Sequence, residues 1–157
     1  NIDSNKGQLN SGKSVMVPTV YGGEYGPDLK RVAAYNGLNI EEVVQLHSEK
    51  PYLVYMIGFS PGYPYLGGLS QKLWTPRRGN PRKMVPAGAV GIGGQQTGVI
   101  TIPSPSGWNY IGMTPLSFFD ITKDPPSLVG PGDLVTFVPI SEEEARTMGL
   151  EGVKYED

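Results

Sequence analysis

The sequence contains no cysteine and a single histidine among its 157 residues. Without cysteine there is no disulfide framework and no thiolate chemistry, and a cytoplasmic location is the expectation. One histidine and no cysteine exclude, from this chain alone, a zinc site built on several such ligands. A Ser-His-Asp triad would have to use His47, yet no nucleophile elbow accompanies any serine. No apolar run approaches the roughly 20 residues of a membrane span, so no membrane association is expected. The formal net charge is −2, which lacks the basic excess of a nucleic-acid-binding domain. Carboxylates are dispersed apart from Glu142–Glu144, which suit the start of a helix. The chain begins at Asn1 without a signal-peptide pattern, and is expected to come from inside a longer protein.

What the sequence has in quantity is glycine and proline, 22 and 15 residues. They are scattered among aromatic and β-branched residues without a short repeat, which points to a folded β domain with many turns. Residues 1–13 are polar and read as a linker or loose terminus, leaving 14–157 as one domain. Ser14–Tyr21 reads as a strand, with Pro18 favouring a sheet edge. Two short helices follow over Asp28–Asn36 and Asn39–Ser48. Gly37 is placed to end the first, and Asn39 with Glu42 starts the second as a capping box. Ile40, Val43, Val44 and His47 share one face of that helix. Pro51–Ile57 reads as a buried strand and Gly58–Ala87 as a long irregular region. Val90–Ile92, Gly98–Ile102, Tyr110–Gly112, Phe118–Ile121 and Leu134–Pro139 read as short strands. Ser141 and Glu144 open a last short helix with a second capping box. Many short strands with few helices predict a mainly β barrel or sandwich.

GQLNSGKS matches the phosphate-binding loop pattern G-x-x-x-x-G-K-[ST] through Gly7, Gly12, Lys13 and Ser14. That loop needs a buried strand before it and a helix after it, so that N–H groups converge on the phosphates. Here NIDSNK precedes it and the β-patterned VMVPTVY follows. The pattern is therefore read as coincidence, and any ATP is not expected to bind through Gly7–Ser14.

Three other stretches hold chemistry. TPRRGNPRK places Arg77, Arg78, Arg82 and Lys83 on a stiff, proline-broken segment, and arginine forks suit carboxylates and phosphates. GFSPGYPYLGGL sets Phe59, Tyr63 and Tyr65 among rigid turns, either folded over the core or forming a binding surface. GIGGQQTG offers Gln95, Gln96 and Thr97 as neutral hydrogen-bonding groups for an amide or carboxylate, or as the polar tip of a hairpin. His47 is either a packed histidine or the one side chain whose ordinary pKa suits proton transfer near neutrality.

Together, VPTVYGGEYGPDL, the run from His47 to Leu69, TPRRGNPRKMVPAGAVGI and GQQTGVITIPSPSGWNYIGMTP resemble one family over Val17 to Ile140. It is the family of the 5-oxoprolinase B subunit and allophanate hydrolase subunit 1, which also includes the sporulation kinase inhibitor KipI. The resemblance implies a cyclophilin-like β-barrel with two or three short helices, and a family N-terminal domain absent from this chain. It further implies a non-autonomous subunit of an ATP-dependent amide hydrolase that opens 5-oxoproline to glutamate. Its partners would be a second cyclophilin-like barrel protein, matching the C subunit of such a complex, and a protein matching its A subunit. The alternative it implies is a KipI-type inhibitor that docks a histidine kinase through the barrel groove.

By motif, the resemblance carries over His47 as catalytic. Arg77, Arg82, Gln96, Thr97, Pro61 and Tyr63 are carried over as substrate-binding, and Phe59, Tyr65 and Trp108 as partner-binding. No metal ligand is implied. Four positions depart from the family pattern: Ile100-Thr101 replaces Tyr-Pro, Ser106 replaces a glycine before Gly107-Trp108, and Met113 replaces an arginine.

Overall fold

The computed structural model describes residues 12–56 and 64–157. Among the described residues nine strands form: β1 Ser14–Tyr21, β2 Tyr52–Met56, β3 Pro64–Gly67, β4 Arg82–Val85, β5 Ala89–Gly93, β6 Gln96–Val99, β7 Ser104–Ser106, β8 Asn109–Met113 and β9 Leu134–Pro139. Seven close into a barrel in the order β1-β8-β5-β6-β3-β2-β9, and β4 pairs with β7 as a separate ribbon. Three α-helices accompany them among the described residues: α1 Leu29–Asn36, α2 Ile40–Ser48 and α3 Glu142–Thr147. The expected mainly β barrel with a few short helices is what forms.

Closure explains Pro18. β1 runs parallel to β9 over Ser14–Thr19 and meets β8 only at Val20 and Tyr21. The carbonyls of Lys13 and Thr19 accept from the Leu134 and Ile140 amides, so odd-numbered residues of β1 face β9. Pro18 faces the side where β8 has not yet joined, and its missing N–H costs no ladder bond. Inside a closed barrel, Pro18 still occupies a local edge. Ser14, the last residue of the GKS match, begins this strand, and no helix follows it.

Local signals set the helices. Asn39 accepts from the Glu42 amide at 2.8 Å while the Glu42 carboxylate accepts from the Asn39 amide at 2.9 Å. Ser141 and Glu144 repeat the arrangement at 3.0 and 2.8 Å. Gly37 ends α1 at φ 67°, a left-handed conformation that glycine adopts without strain.

Elsewhere the structure corrects the sequence reading. The stretch read as irregular holds β3, the 3-10 turn Gln71–Leu73 and β4. Phe118–Ile121 forms no strand and contributes only an isolated bridge from Phe119 to Ser127. β2 is not buried on both faces: Tyr52 and Val54 point inward while Leu53 and Tyr55 are exposed. Residues 1–11 lie outside the described residues. Lys13 immediately precedes β1, and its amide donates to Asp133 Oδ1 at 3.3 Å.

The core has two parts. One fills the barrel and the helix layer, with Val17, Val43, Val54, Leu66, Ile92, Ile111 and Phe137 among its members. The other lies under the β4–β7 ribbon and gathers Val85, Ile100, Trp108, Tyr110 and Met113. Met113, where the family pattern has arginine, is completely buried there.

Glycines in the GIGG run make room for aromatic rings. A Cβ on Gly93 would lie 2.3 Å from the Trp108 indole. Gly93→Ala therefore has to displace Trp108, at an expected cost of about 1–3 kcal/mol. A thermal melt with tryptophan emission checks this, and an unchanged midpoint with unchanged emission would refute the packing.

Candidate functional site

The β5–β6 hairpin decides where the candidate residues go. Gly93 pairs with Gln96 across it, leaving Gly94 and Gln95 at the tip, and Gly94 has φ 62°. Successive strand residues face opposite sides. Gln96 and Thr97, neighbours in sequence, are thus separated by the sheet. Thr97 points into the barrel and Gln96 points out.

Inside, α2 delivers His47 into the barrel. Its ring meets Phe137 of β9 at 4.5 Å, Tyr52 of β2 at 5.6 Å and Tyr21 of β1 at 5.7 Å between centroids. Nε2 lies 2.9 Å from Thr97 Oγ1, and Nδ1 lies 2.7 Å from the Tyr21 hydroxyl. The Thr97 hydroxyl donates to the Gly91 carbonyl at 2.8 Å, and this uses its only proton. His47 Nε2–H must therefore donate to Thr97, which leaves Nδ1 to accept from Tyr21. The result is one ordered chain: Tyr21, His47, Thr97, Gly91. The imidazole is completely buried, and burial pushes its pKa down to about 3. At neutral pH it is uncharged, both ring nitrogens are engaged, and no atom reaches solvent. The Tyr52 hydroxyl donates to the His47 carbonyl at 2.7 Å and completes the plug.

Outside, a different set assembles. Tyr65 of β3 pairs with Gly98 of β6, and so shares a face with Gln96 two residues away. The Trp108 ring lies over Gly93 and Gly98 on that same face, 5.7 Å from Tyr65 between centroids. Arg77 is exposed, and its charge opposes the rise in the Tyr65 phenol pKa that burial causes. Tyr65, backed by the buried Trp108 ring, thus stands with Gln96 on the outer side of the sheet, while Arg77 is exposed. Such a face suits a small planar ring carrying an anionic group.

Arg82 is elsewhere. Its two Nη groups grip the Asp28 carboxylate at 2.6 and 2.9 Å, and both residues are buried. Asp28 stands at the N-cap of α1 but makes no capping bond there. Its carboxylate serves Arg82 and the Tyr110 amide instead, the latter at 2.8 Å. The hydrogen bond to Asp28 raises the guanidinium pKa further, so Arg82 is a permanent internal cation. Sequence reasoning grouped Arg78 with Arg82 but missed Asp28 and Asp157 as parts of this cluster. An N-cap aspartate without its capping bond is a signal only the structure reveals.

Of the sequence-derived candidates, Phe59, Pro61 and Tyr63 lie outside the described residues. Among the described residues, no group of three or more His, Asp or Glu side chains is arranged to hold a metal ion, and no helix is long and apolar enough to cross a membrane.

Comparison with known proteins agrees with this architecture. The family model of the carboxyltransferase domain, subdomain C and D, matches residues 2–129. The chain is 56% identical to the 5-oxoprolinase B subunit of Escherichia coli O157:H7 over 128 residues, covering 82% of this chain and 59% of that protein. It is 52% identical to the 5-oxoprolinase B subunit of Bacillus subtilis over 130 residues, covering 83% and 54%. The chain thus spans little more than half the length of these relatives. A conserved uncharacterized protein of Pyrococcus horikoshii superposes with a TM-score of 0.81 at 53% identity, covering 84% of this chain and 61% of that one. The Kluyveromyces lactis urea carboxylase superposes with a TM-score of 0.72 at 20% identity, over 92% and 16% of the two chains, and shares the fold. The chain belongs to the carboxyltransferase subdomain C and D family, and within it is similar to the B subunit of 5-oxoprolinase.

Proposed function

We propose that this chain is the barrel part of a 5-oxoprolinase B subunit, working inside an ATP-dependent complex that opens 5-oxoproline to glutamate. The observation that carries the reading is the 50–56% identity to three 5-oxoprolinase B subunits across the barrel. The outer face supports it. Tyr65, backed by the buried Trp108 ring, offers a wall for a five-membered ring, Gln96 a partner for its amide, and Arg77 a cation for its carboxylate. In this reading His47 is a positioning residue. It orders Thr97 and the β5–β6 hairpin whose other side carries Gln96. Proton transfer falls to groups outside the barrel interior, because His47 offers no free nitrogen. Proteins matching the A and C subunits of such a complex complete the site, the latter with a second barrel, and ATP binds away from Gly7–Ser14.

The kinase-inhibitor reading rests on the aromatic side chains, and Phe59 and Tyr63 fall outside the described residues. One experiment separates the two readings. The full-length protein is co-expressed with its candidate companion proteins, and separately with a sporulation-type sensor kinase. Co-purification with the companions, with ring opening lost when this protein is omitted, is the expected result. Ring opening at an equal rate without it, or tight capture by the kinase alone, would overturn the proposal.

A further inference from the structure

Two guanidiniums converge where one internal carboxylate stands. Arg82 is paired with Asp28, and Arg78 Nε lies 3.9 Å from the same carboxylate. Two fixed positive charges against one negative leave a local excess of one. Arg78 also has a buried Nη1 without a hydrogen-bond partner among the described residues, a costly state for a charged donor. The balancing anion comes from far along the chain. Asp157 Oδ1 lies 3.1 Å from Arg82 Nε and 4.0 Å from Arg78 Nη2.

The segment carrying Asp157 is laid onto β4. Met84 and Glu156 exchange backbone hydrogen bonds at 3.2 and 2.9 Å. The Tyr155 hydroxyl donates to the Tyr25 carbonyl at 2.9 Å, and the Arg82 guanidinium sits 5.1 Å above the Tyr155 ring. The Arg82 side chain is 6% exposed, while that of Asp157 is 84% exposed. A nearly buried cation thus meets an occupant that stands in solvent. An exposed carboxylate held at such distances adds little net stability, and the position it fills opens outward.

We propose that Arg82 Nε and the Arg78 guanidinium form a carboxylate-binding subsite, and that Asp157 occupies it in place of a small mono- or dicarboxylate. Arg82 supplies a rigid donor, because Asp28 fixes its fork. Arg78 supplies the adjustable one through Nη2, the group that lies 4.0 Å from Asp157 Oδ1. Asp157 acts as an internal competitor that a ligand carboxylate displaces without breaking the Arg82–Asp28 pair. The inference stands on this geometry and does not depend on the proposed function.

The test uses the full chain and Asp157→Asn, a substitution at an exposed side chain. Arginine Nε–H signals are followed by nitrogen-15 NMR while L-glutamate or glutarate is added, with chloride at matched ionic strength as the control. The expected result is a saturable shift of the Arg82 and Arg78 signals in Asp157→Asn. Binding should be about tenfold weaker in the unsubstituted chain, where the tethered carboxylate competes. Adding Arg78→Gln to Asp157→Asn should remove saturation. Equal responses in the unsubstituted and Asp157→Asn proteins, or a response no different from chloride, would overturn the proposal without recourse to the Arg78 variant.

Discussion

Replacing Asp28 with alanine is expected to cost about 3–5 kcal/mol of folding stability, the range for removing one partner of a buried ion pair. The reason lies in what remains. Arg82 keeps its charge and its burial but loses the acceptor of both Nη groups, and the Tyr110 amide loses its partner. Asp157, largely in solvent, contacts only Nε and cannot replace two short bonds to Nη1 and Nη2. For a domain of this size the loss corresponds to a fall in melting midpoint of about 6–20 °C. Asp28→Ala combined with Arg82→Met should recover part of it, because the unpaired charge is then gone. Thermal or urea unfolding of the three variants reads the outcome. A midpoint within about 2 °C of the parent for Asp28→Ala alone would show that the pair does not hold the ribbon to α1.

Acid should destabilise this protein early, and one residue should account for it. His47 titrates near 3 in the folded state because burial disfavours its charge, against an ordinary value of 6.5. Between those values the unfolded chain binds one more proton than the folded chain. Stability therefore falls as pH falls, by up to about 1.4 kcal/mol per pH unit. At pH 4.5 the loss is roughly 2.7 kcal/mol. The sequence has no second histidine, so no other imidazole titrates in this window. The carboxylates of Asp120 and Glu144, held low by hydrogen bonds from Thr122 and Ser141, add their own losses as pH falls to their ordinary values of 3.8 and 4.5 and below, at the acid end of this window. Urea unfolding from pH 7 to 4.5 should show this slope in the parent and a much flatter one in His47→Gln. An equal slope in both would mean that the imidazole takes up its proton without leaving the barrel.

The sequence is most informative where the determinants are local. Asn39 with Glu42, Ser141 with Glu144, and Gly37 each fix a helix end through neighbours three or four residues away, and each stands where its pattern places it. Ser14–Tyr21 and Leu134–Pro139 are legible as strands from their composition. What stays hidden depends on distant partners. β4 forms because β7 lies beside it and residue 156 extends the pairing, so TPRRGNPRK looks irregular when read alone. A hairpin at Gly94 is one alternative the sequence offers, but not that it puts Gln96 and Thr97 on opposite sides. The two readings of His47 are separated only by Tyr21, Phe137 and Thr97, which come from three different strands. Arg82 looks like a ligand clamp because arginine forks suit anions. Its two Nη groups are taken by Asp28, 54 residues earlier at the start of α1, which leaves Nε as the group that meets an anion from outside.

The measurement that bears most directly on the account is ATP-dependent ring opening of 5-oxoproline by the full-length protein with its companion proteins. The parent is compared with Arg77→Ala and His47→Gln at a temperature where both variants are shown to be folded. The account predicts activity in the complex and His47→Gln within a few-fold of the parent. It predicts Arg77→Ala reduced in kcat/KM by about 10–100-fold, the loss expected when a charged hydrogen bond to substrate is removed. No activity in a verified complex, or a folded His47→Gln that abolishes turnover while Arg77→Ala leaves it intact, would contradict it.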